Sequence, residues 1–294
     1  MRLAAIDIGS NAARLLISEV KISAEGEPVF NKLNLIRVPL RLGFDVFENN
    51  EISEEKTIMV MQTMKAYRHL INAYGITYIK ACATSAMRDA RNAPDIIRKI
   101  KMETDITIEV ISGEAEASYI YENHIAEKMS KDDAYLYIDV GGGSTELTFF
   151  SNEKLVFKES FNIGTIRLLK NMVTESHWNN MKDFVKAKIR NYRSVIAIGS
   201  GGNINKVFSL SKKKEGKPLP FELLRDYYKE LSGFTLEDRM RIYKLREDRA
   251  DVIVPALLIY INIMRWTEAK DIYVPRIGLA DGLIQHQYRE IITF

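Results

Sequence analysis

Two glycine turns that each follow an aspartate have residues suited to phosphate chemistry. Asp7 precedes the turn Gly9–Asn11, and Asp139 precedes the turn Gly141–Thr145. Glycines allow an anion to approach backbone N–H groups because no Cβ is in the way. An aspartate beside a phosphate repels it unless a divalent cation lies between them, and Mg²⁺ that keeps several waters suits such a place. The turns therefore predict a magnesium and phosphate site.

The same plan surrounds both turns. Each follows a short apolar strand and leads into another, and the two aspartates are nearly half the chain apart. This pattern predicts an internal duplication of two half-domains. A third glycine loop, Gly199–Asn203, follows the apolar run Val195–Ile198. A single glycine turn is usually an ordinary hairpin, but three in this pattern favour phosphate binding.

Two further segments have alternative interpretations. The acids of Ser112–Ala117 stand between an apolar strand and a predicted helix. They either compensate the helix dipole or supply a general base for an attacking water. Arg88 and Arg91 follow a predicted strand, where ligand sites of α/β proteins tend to form. Either arginine clamps a phosphate, or both belong to a solvated loop with an internal ion pair.

Apolar periodicity predicts the elements that position these residues. Strands at 3–8, 77–83 and 135–140 alternate with helices such as 53–73, which has Ser53 as a plausible N-cap. The alternation predicts an α/β fold with two similar lobes and a boundary near 122–134. Other predicted helices lie at 94–102, 113–128, 175–190, 202–210, 221–232, 248–265 and 279–290, and other strands at 15–20, 106–111, 146–150, 154–159, 194–198 and 271–274.

Composition excludes several classes of protein. The 294 residues have a formal net charge of only +3, which argues against a histone-like nucleic-acid binder. The apolar run Val252–Met264 is too short to span a bilayer and predicts a buried helix. A single cysteine, Cys82, excludes an intrachain disulfide and a multi-thiolate zinc site. We expect a cytoplasmic protein without DNA or membrane as a partner.

The motifs together resemble the exopolyphosphatase/guanosine pentaphosphate phosphohydrolase family of the actin, sugar kinase and Hsp70 superfamily. The resemblance spans nearly the whole chain, and its most specific blocks are Ile111–Ala117 and Ile138–Leu147. The other blocks, in the family's order, are Asp7–Asn11, Arg41–Gly43, Ala83–Asn92, Asn162–Thr165, Gly199–Gly202 and Arg249–Ile253.

This resemblance implies two ribonuclease-H-like, actin-like lobes with an interlobe cleft. The expected lobes are 1–124 and 125–280, with a last helix at about 281–294 that can return to the first lobe. It also implies Mg²⁺-dependent release of orthophosphate from polyphosphate or from guanosine pentaphosphate. The expected catalytic residues are Glu116, Glu146 and Arg88, the metal ligands Asp7, Asp139 and Glu146, and the phosphate-binding residues Gly9, Ser10, Asn11, Gly141, Gly142, Gly143, Ser144, Thr145, Gly201 and Gly202.

The sequence also departs from the family pattern. Ala280 stands in Gly278–Gly282 where many relatives have an arginine, and Ala115 replaces an acid often found before the catalytic glutamate. Long members have additional C-terminal domains that help to form a channel for long polyphosphate, and these are absent from the 294 residues. We therefore expect short polyphosphate as the substrate, and a homodimer is one way to extend the site.

Two other functions remain open from the sequence. One is a non-enzymatic sensor that binds polyphosphate or a phosphorylated guanosine nucleotide and acts on a partner. The missing C-terminal domains and Ala280 motivate it. The other is an actin-like small-molecule kinase, which needs an acceptor pocket and an adenosine site. The third glycine loop is the only block that suggests either feature.

Overall fold

The computed structural model describes residues 1–121, 133–152, 154–192, 194–275 and 277–293. The chain divides into two compact units. The first lobe comprises Met1–Asn123 with Gly278–Phe294, and the second lobe comprises His124–Ile277. The boundary expected near 122–134 falls mainly on 122–132, outside the described residues, and stays a prediction.

The first lobe is built on a five-stranded sheet in the order β3-β2-β1-β4-β5. β1 pairs with β2, and β2 with β3, in antiparallel fashion, whereas β1, β4 and β5 are parallel. The strands are β1 Arg2–Ile8, β2 Ala13–Ile22, β3 Pro28–Val38, β4 Tyr78–Ala83 and β5 Ile108–Val110. The helices of its first segment are α1 Leu42–Asn49, α2 Glu54–Ala73, α3 Ser85–Asp89, α4 Ala93–Thr104 and α5 Gly113–Tyr121.

The second lobe has a six-stranded sheet in the order β10-β11-β9-β6-β7-β8. Its strands are β6 Ala134–Val140, β7 Thr145–Ser151, β8 Lys154–Phe161, β9 Val195–Ser200, β10 Leu219–Pro220 and β11 Asp271–Tyr273. Its helices are α6 Thr165–Leu169, α7 Glu175–Ile189, α8 Gly202–Ser211, α9 Phe221–Ser232, α10 Leu236–Tyr243, α11 Glu247–Ala250 and α12 Ile253–Trp266.

Helix α12 lies in the core of the second lobe. It contains most of the apolar run that the sequence marks as a buried helix, and its buried side chains include Leu257, Tyr260 and Met264. Across the described ranges, no helix has the combined length and apolarity needed to cross a membrane.

The predicted duplication is visible in the hydrogen bonding of the two sheets. The antiparallel set β1-β2-β3 corresponds to β6-β7-β8, and the parallel neighbour β4 corresponds to β9. The Gly9 N–H donates to the Ala12 carbonyl at 3.0 Å, and the Gly141 N–H donates to the Ser144 carbonyl at 2.9 Å. The same turn geometry therefore occurs in both lobes, and the predicted α/β class with two similar lobes is confirmed.

The last helix, α13 Leu279–Thr293, belongs to the first lobe and packs against β1 and α5. Gly282 lies against the backbone of Tyr119 on α5, and the ring of Tyr119 meets His286 edge-on at 5.0 Å. Ala280, which the sequence links to substrate choice, is 4% exposed within the apolar core of this lobe. Its small side chain fits that packing.

The structure contains several helices and strands that the sequence pattern did not predict. Strand β3 alternates poorly because it lies at the sheet edge, where apolar side chains such as Leu33 and Leu35 are exposed. The helix predicted at 248–265 is instead two helices, α11 and α12, separated at 251–252. Short helices such as α3 and α6 are too brief to produce a helical period.

Gly282 leaves no room for a side chain. A Cβ at this position would be 1.9 Å from the Tyr119 carbonyl oxygen, so Gly282→Ala forces α13 and α5 apart. We expect the free energy of unfolding to fall by about 3 kcal/mol, measured by urea denaturation. Gly278→Ala is the matched control because a Cβ there meets nothing within 4 Å. Equal stabilities of the two variants would contradict the tight packing of α5 on α13.

Burial of Cys82 on β4 determines its reactivity. The side chain is fully buried, and burial raises the pKa of the thiol to about 12 because it disfavours the thiolate. Since the thiolate is the reactive form, we expect a disulfide reagent at about pH 8 to label the folded protein far more slowly than the protein in urea. Rapid labelling without denaturant would contradict the core position of β4.

Candidate functional site

A pair of carboxylates lies at one end of the second-lobe sheet. The antiparallel pairing of β6 with β7 puts Asp139 directly opposite Glu146. Their carboxylate oxygens approach within 4.8 Å, and Glu146 is only 3% exposed. Two negative charges this close repel each other, so a proton or a cation between them lowers their energy. Oxygen ligands of this type suit a hard divalent cation such as Mg²⁺.

The first lobe has a different pair at the equivalent place. Asp7 lies opposite Arg14, with the same spacing along the chain as Asp139 and Glu146. The Arg14 Nη1 donates to Asp7 Oδ2 at 2.6 Å, and Asp7 is 4% exposed. The predicted metal ligand Asp7 is therefore in an ion pair within its own lobe. Arg14 was not among the predicted site residues, although the repeated spacing after each aspartate points to it.

The second-lobe turn is held by its carbonyl groups. The carbonyls of residues 141–143 accept hydrogen bonds from the segment Thr165–Arg167 at 2.8–3.4 Å. Gly164 is required there because a Cβ would lie 2.4 Å from the Gly142 carbonyl oxygen. No hydrogen bond among the described residues is donated by the N–H groups of Gly142 or Gly143. This arrangement leaves backbone donors for an anion.

Two side chains of the same turn are buried. Ser144 is 3% exposed, and Thr145 has no exposed surface. The Thr145 hydroxyl donates to the Ile163 carbonyl at 2.6 Å. Its hydroxyl thus fixes the turn, and phosphate binding by Thr145 stays a prediction.

The third glycine loop lies against Asp139 within the second lobe. Gly201 has a φ of 101°, and a Cβ there would be 2.9 Å from Asp139 Oδ1. A Cβ at Gly202 would be 2.5 Å from the guanidinium of Arg249, which donates to Asn203 Oδ1 at 3.0 Å. Both glycines are needed because neighbouring side chains pack directly on the backbone. The loop begins helix α8, whose N-terminus favours negative charge.

Tyr260 on α12 supports this loop from the core. Its hydroxyl donates to the Ser200 carbonyl at the end of β9. Burial raises the pKa of the Tyr260 hydroxyl well above its ordinary value, and the charge of Asp139 raises it further. Tyr260 therefore stays a protonated donor. The sequence marked it only as part of an apolar run.

Glu116 lies in the first turn of helix α5, in the first lobe. The Ser112 Oγ accepts a hydrogen bond from the Ala115 N–H at 3.2 Å, and the Ser112 carbonyl accepts from the Glu116 N–H at 3.0 Å. These bonds fix the helix start that carries Glu116, whose side chain is half-buried.

Arg88 and Arg91, either of which the sequence pattern allows as a phosphate ligand, have different surroundings in the structure. Arg91 is 73% exposed and forms an ion pair with Glu51. Arg88 Nη1 donates to the Ile111 carbonyl at 3.0 Å, directly before the turn that leads into α5. Arg88 therefore lies beside the strand-to-helix turn of the same lobe, and Arg91 has a surface role.

The first-lobe turn has polar contacts of its own. The Ser10 and Ser85 hydroxyls lie 2.7 Å apart, and both residues are buried. The carbonyls of Ser10 and Asn11 accept hydrogen bonds from the N–H groups of Gly43 and Arg41, at 2.9 and 3.0 Å. The block Arg41–Gly43 thus fixes the turn Gly9–Asn11 through its backbone.

Comparison with known proteins identifies relatives over most of the chain. The model of the Ppx/GppA phosphatase family matches residues 20–290. A bifunctional 3-dehydroquinate synthase/phosphatase from Fusobacterium nucleatum is 32% identical over 82% of this chain and 35% of its own length. The chain thus spans about a third of that relative. Exopolyphosphatase 1 of Mycobacterium tuberculosis is 23% identical over 97% of this chain and 87% of its own.

A solved structure has the same fold. The crystal structure of an exopolyphosphatase from Cytophaga hutchinsonii superposes with a TM-score of 0.84 at 24% identity, over 99% of this chain and 98% of that chain. The predicted hydrolase class agrees with the family, which is one of phosphatases. Because the family model covers nearly all of the sequence and the fold agrees, the chain belongs to the Ppx/GppA phosphatase family.

Proposed function

We propose that this protein releases orthophosphate from the terminal phosphoanhydride bond of inorganic polyphosphate, with short chains as the preferred substrate, or of guanosine pentaphosphate. The observation that carries the proposal is the Asp139–Glu146 pair beside a turn whose Gly142 and Gly143 N–H groups donate to no described residue. An acid pair for a cation and backbone donors for an anion are what a metal–phosphate substrate requires. The exopolyphosphatase name of the Mycobacterium relative supports the choice of polyphosphate.

Asp139 and Glu146 are the proposed magnesium ligands. Both supply carboxylate oxygens, and their proximity is electrostatically favourable only when positive charge accompanies them. When bound, Mg²⁺ supplies neutralisation of phosphate charge and helps to fix the reacting group. We expect Asp7 to contribute less to metal binding than the sequence predicts, since Arg14 already compensates its charge.

The remaining roles belong to the chain's own donors and bases. The N–H groups of Gly142 and Gly143 bind the phosphate oxygens, with Gly201 and Gly202 lining the second-lobe site. Glu116 accepts a proton from water as the water oxygen bonds to the terminal phosphorus and the anhydride P–O bond breaks. Arg88 contributes positive charge toward the substrate.

A second candidate substrate class is a phosphate monoester. The Fusobacterium relative has higher identity than the Mycobacterium protein, and its name specifies a phosphatase without naming polyphosphate. We therefore include a monoester beside the anhydrides in the test. The sensor hypothesis predicts binding of these compounds without turnover.

The first experiment measures orthophosphate release from short polyphosphate, long polyphosphate, guanosine pentaphosphate and p-nitrophenyl phosphate, each with Mg²⁺ and with chelator. We expect metal-dependent release, fastest from short polyphosphate. Glu116→Gln and Glu146→Gln should each lower kcat by at least about 100-fold, because one removes a base and the other a metal ligand. Glu114→Gln is the control, since Glu114 lies in the same first turn of α5 and is exposed.

Each outcome selects one function. Release only from the monoester would replace the anhydride substrate, and binding without release would support the sensor. Full activity of folded Glu116→Gln would exclude Glu116 as the base.

The third glycine loop provides a separate test. Gly201→Ala adds a Cβ 2.9 Å from Asp139 Oδ1 at a left-handed backbone position. We expect phosphate release to fall at least about tenfold because a displaced Asp139 misplaces the reacting groups. Gly216→Ala is the control, since Gly216 also has a positive φ, of 79°, but a Cβ there meets nothing within 4 Å. Similar activity of both variants would argue against a role for the loop beside Asp139.

A further inference from the structure

Four polar side chains form one row across the second-lobe sheet. Ser200, Asp139, Glu146 and Ser160 occupy neighbouring strands β9, β6, β7 and β8 and are paired in register. Residues directly opposite each other in a sheet have their side chains on the same face. The acid pair is therefore flanked by a serine on each side.

Ser160 makes a specific contact with the acid pair. Its Oγ–H donates to Glu146 Oε1 at 2.9 Å, in a partly buried position. Hydrogen bonds to a charged acceptor are stronger than those between neutral groups. The terminal torsion of a glutamate is broad, so a bonded partner is needed to fix the plane of its carboxylate.

The equivalent row of the first lobe has the opposite charge. Its residues, in the same register, are Cys82, Asp7, Arg14 and Arg37. Where the second lobe has the acids Asp139 and Glu146, the first lobe has Asp7 and Arg14. Where the second lobe has Ser160 beside the second acid, the first lobe has another arginine, Arg37. The duplicated backbone therefore carries a row suited to a cation in the second lobe only, and the serine at position 160 accompanies that change.

We propose that Ser160 is a positioning residue that orients the Glu146 carboxylate for a divalent cation. The inference rests on the proposed function, since it takes Asp139 and Glu146 as the metal ligands. The Ser160 hydroxyl occupies one position on Oε1 and limits rotation of the carboxylate relative to Asp139. A ligand fixed in this way loses less freedom when the cation binds. Partners of metal ligands commonly change metal affinity by about 10–100-fold.

The test compares Ser160→Ala with the wild-type protein in two measurements. Mn²⁺ binding, followed by the electron paramagnetic resonance of free Mn²⁺, should weaken about tenfold. The Mg²⁺ concentration that gives half-maximal phosphate release should rise by a similar factor. At saturating Mg²⁺ we expect kcat and the KM for polyphosphate to stay within about twofold, because Ser160 acts through Glu146. A general loss of structure would not separate metal affinity from kcat in this way.

Three further variants make the comparison specific. Ser160→Thr retains the hydroxyl and should restore Mn²⁺ affinity. Ser160→Cys keeps a side chain of similar size but replaces the hydroxyl with a thiol, which is only a weak hydrogen-bond donor. Should Ser160→Ala fail to fold, Ser160→Cys replaces it in the comparison. Ser151→Ala makes the same chemical change at the end of β7 far from Glu146 and should bind Mn²⁺ like the wild type.

The results distinguish this inference from the proposed function. Equal Mn²⁺ affinity of Ser160→Ala and Ser151→Ala overturns the role of Ser160, whatever the enzyme hydrolyses. A wild-type protein that binds no Mn²⁺ also overturns it. Mn²⁺ binding that weakens in Ser160→Ala, in a protein without phosphate release, supports the role of Ser160 and rejects the proposed hydrolysis.

Discussion

The pairing of β6 with β7 is the constraint on which the second-lobe site depends. Its register brings Asp139 opposite Glu146 in spite of their like charges. The turn between the two acids is closed by one backbone hydrogen bond, and its carbonyl groups accept hydrogen bonds from Thr165–Arg167. These bonds fix the turn and therefore keep the two strand ends, with their acids, together. Electrostatic repulsion between the two acids is therefore built into the fold, and the proposed cation would relieve it.

Duplication of the backbone has produced two lobes with different chemistry. The turns and their strand pairings correspond, yet Asp7 is neutralised by Arg14 whereas Asp139 faces a second acid. An arginine in the first lobe and a glutamate in the second, at equivalent register positions, thus distinguish an internal ion pair from a candidate cation site. Conservation of backbone geometry does not require conservation of function in the two halves of such a fold.

Within each lobe, close backbone contacts fix the elements that carry the candidate site residues. Gly164 allows the segment before α6 to approach Gly142, and Gly201 allows the third loop to approach Asp139. In the first lobe, Gly282 allows α13 to lie on the backbone of α5, the helix that carries Glu116. Each contact excludes a Cβ, so these glycines fix positions rather than provide mobility.

The sequence by itself determined the α/β class and the duplicated turns with their aspartates, because strand alternation and glycine turns are local properties. Its resemblance to the family implied Glu116 and Glu146 as candidates beside Asp139. The tertiary structure alone decided that Arg14 neutralises Asp7, that Thr145 holds the turn, and that Ser160 and Tyr260 contact the site residues or their loop. It also revealed the exposed strand β3 and the break before α12. These features depend on register and packing between segments distant in the chain, and no local pattern of residue types encodes that proximity.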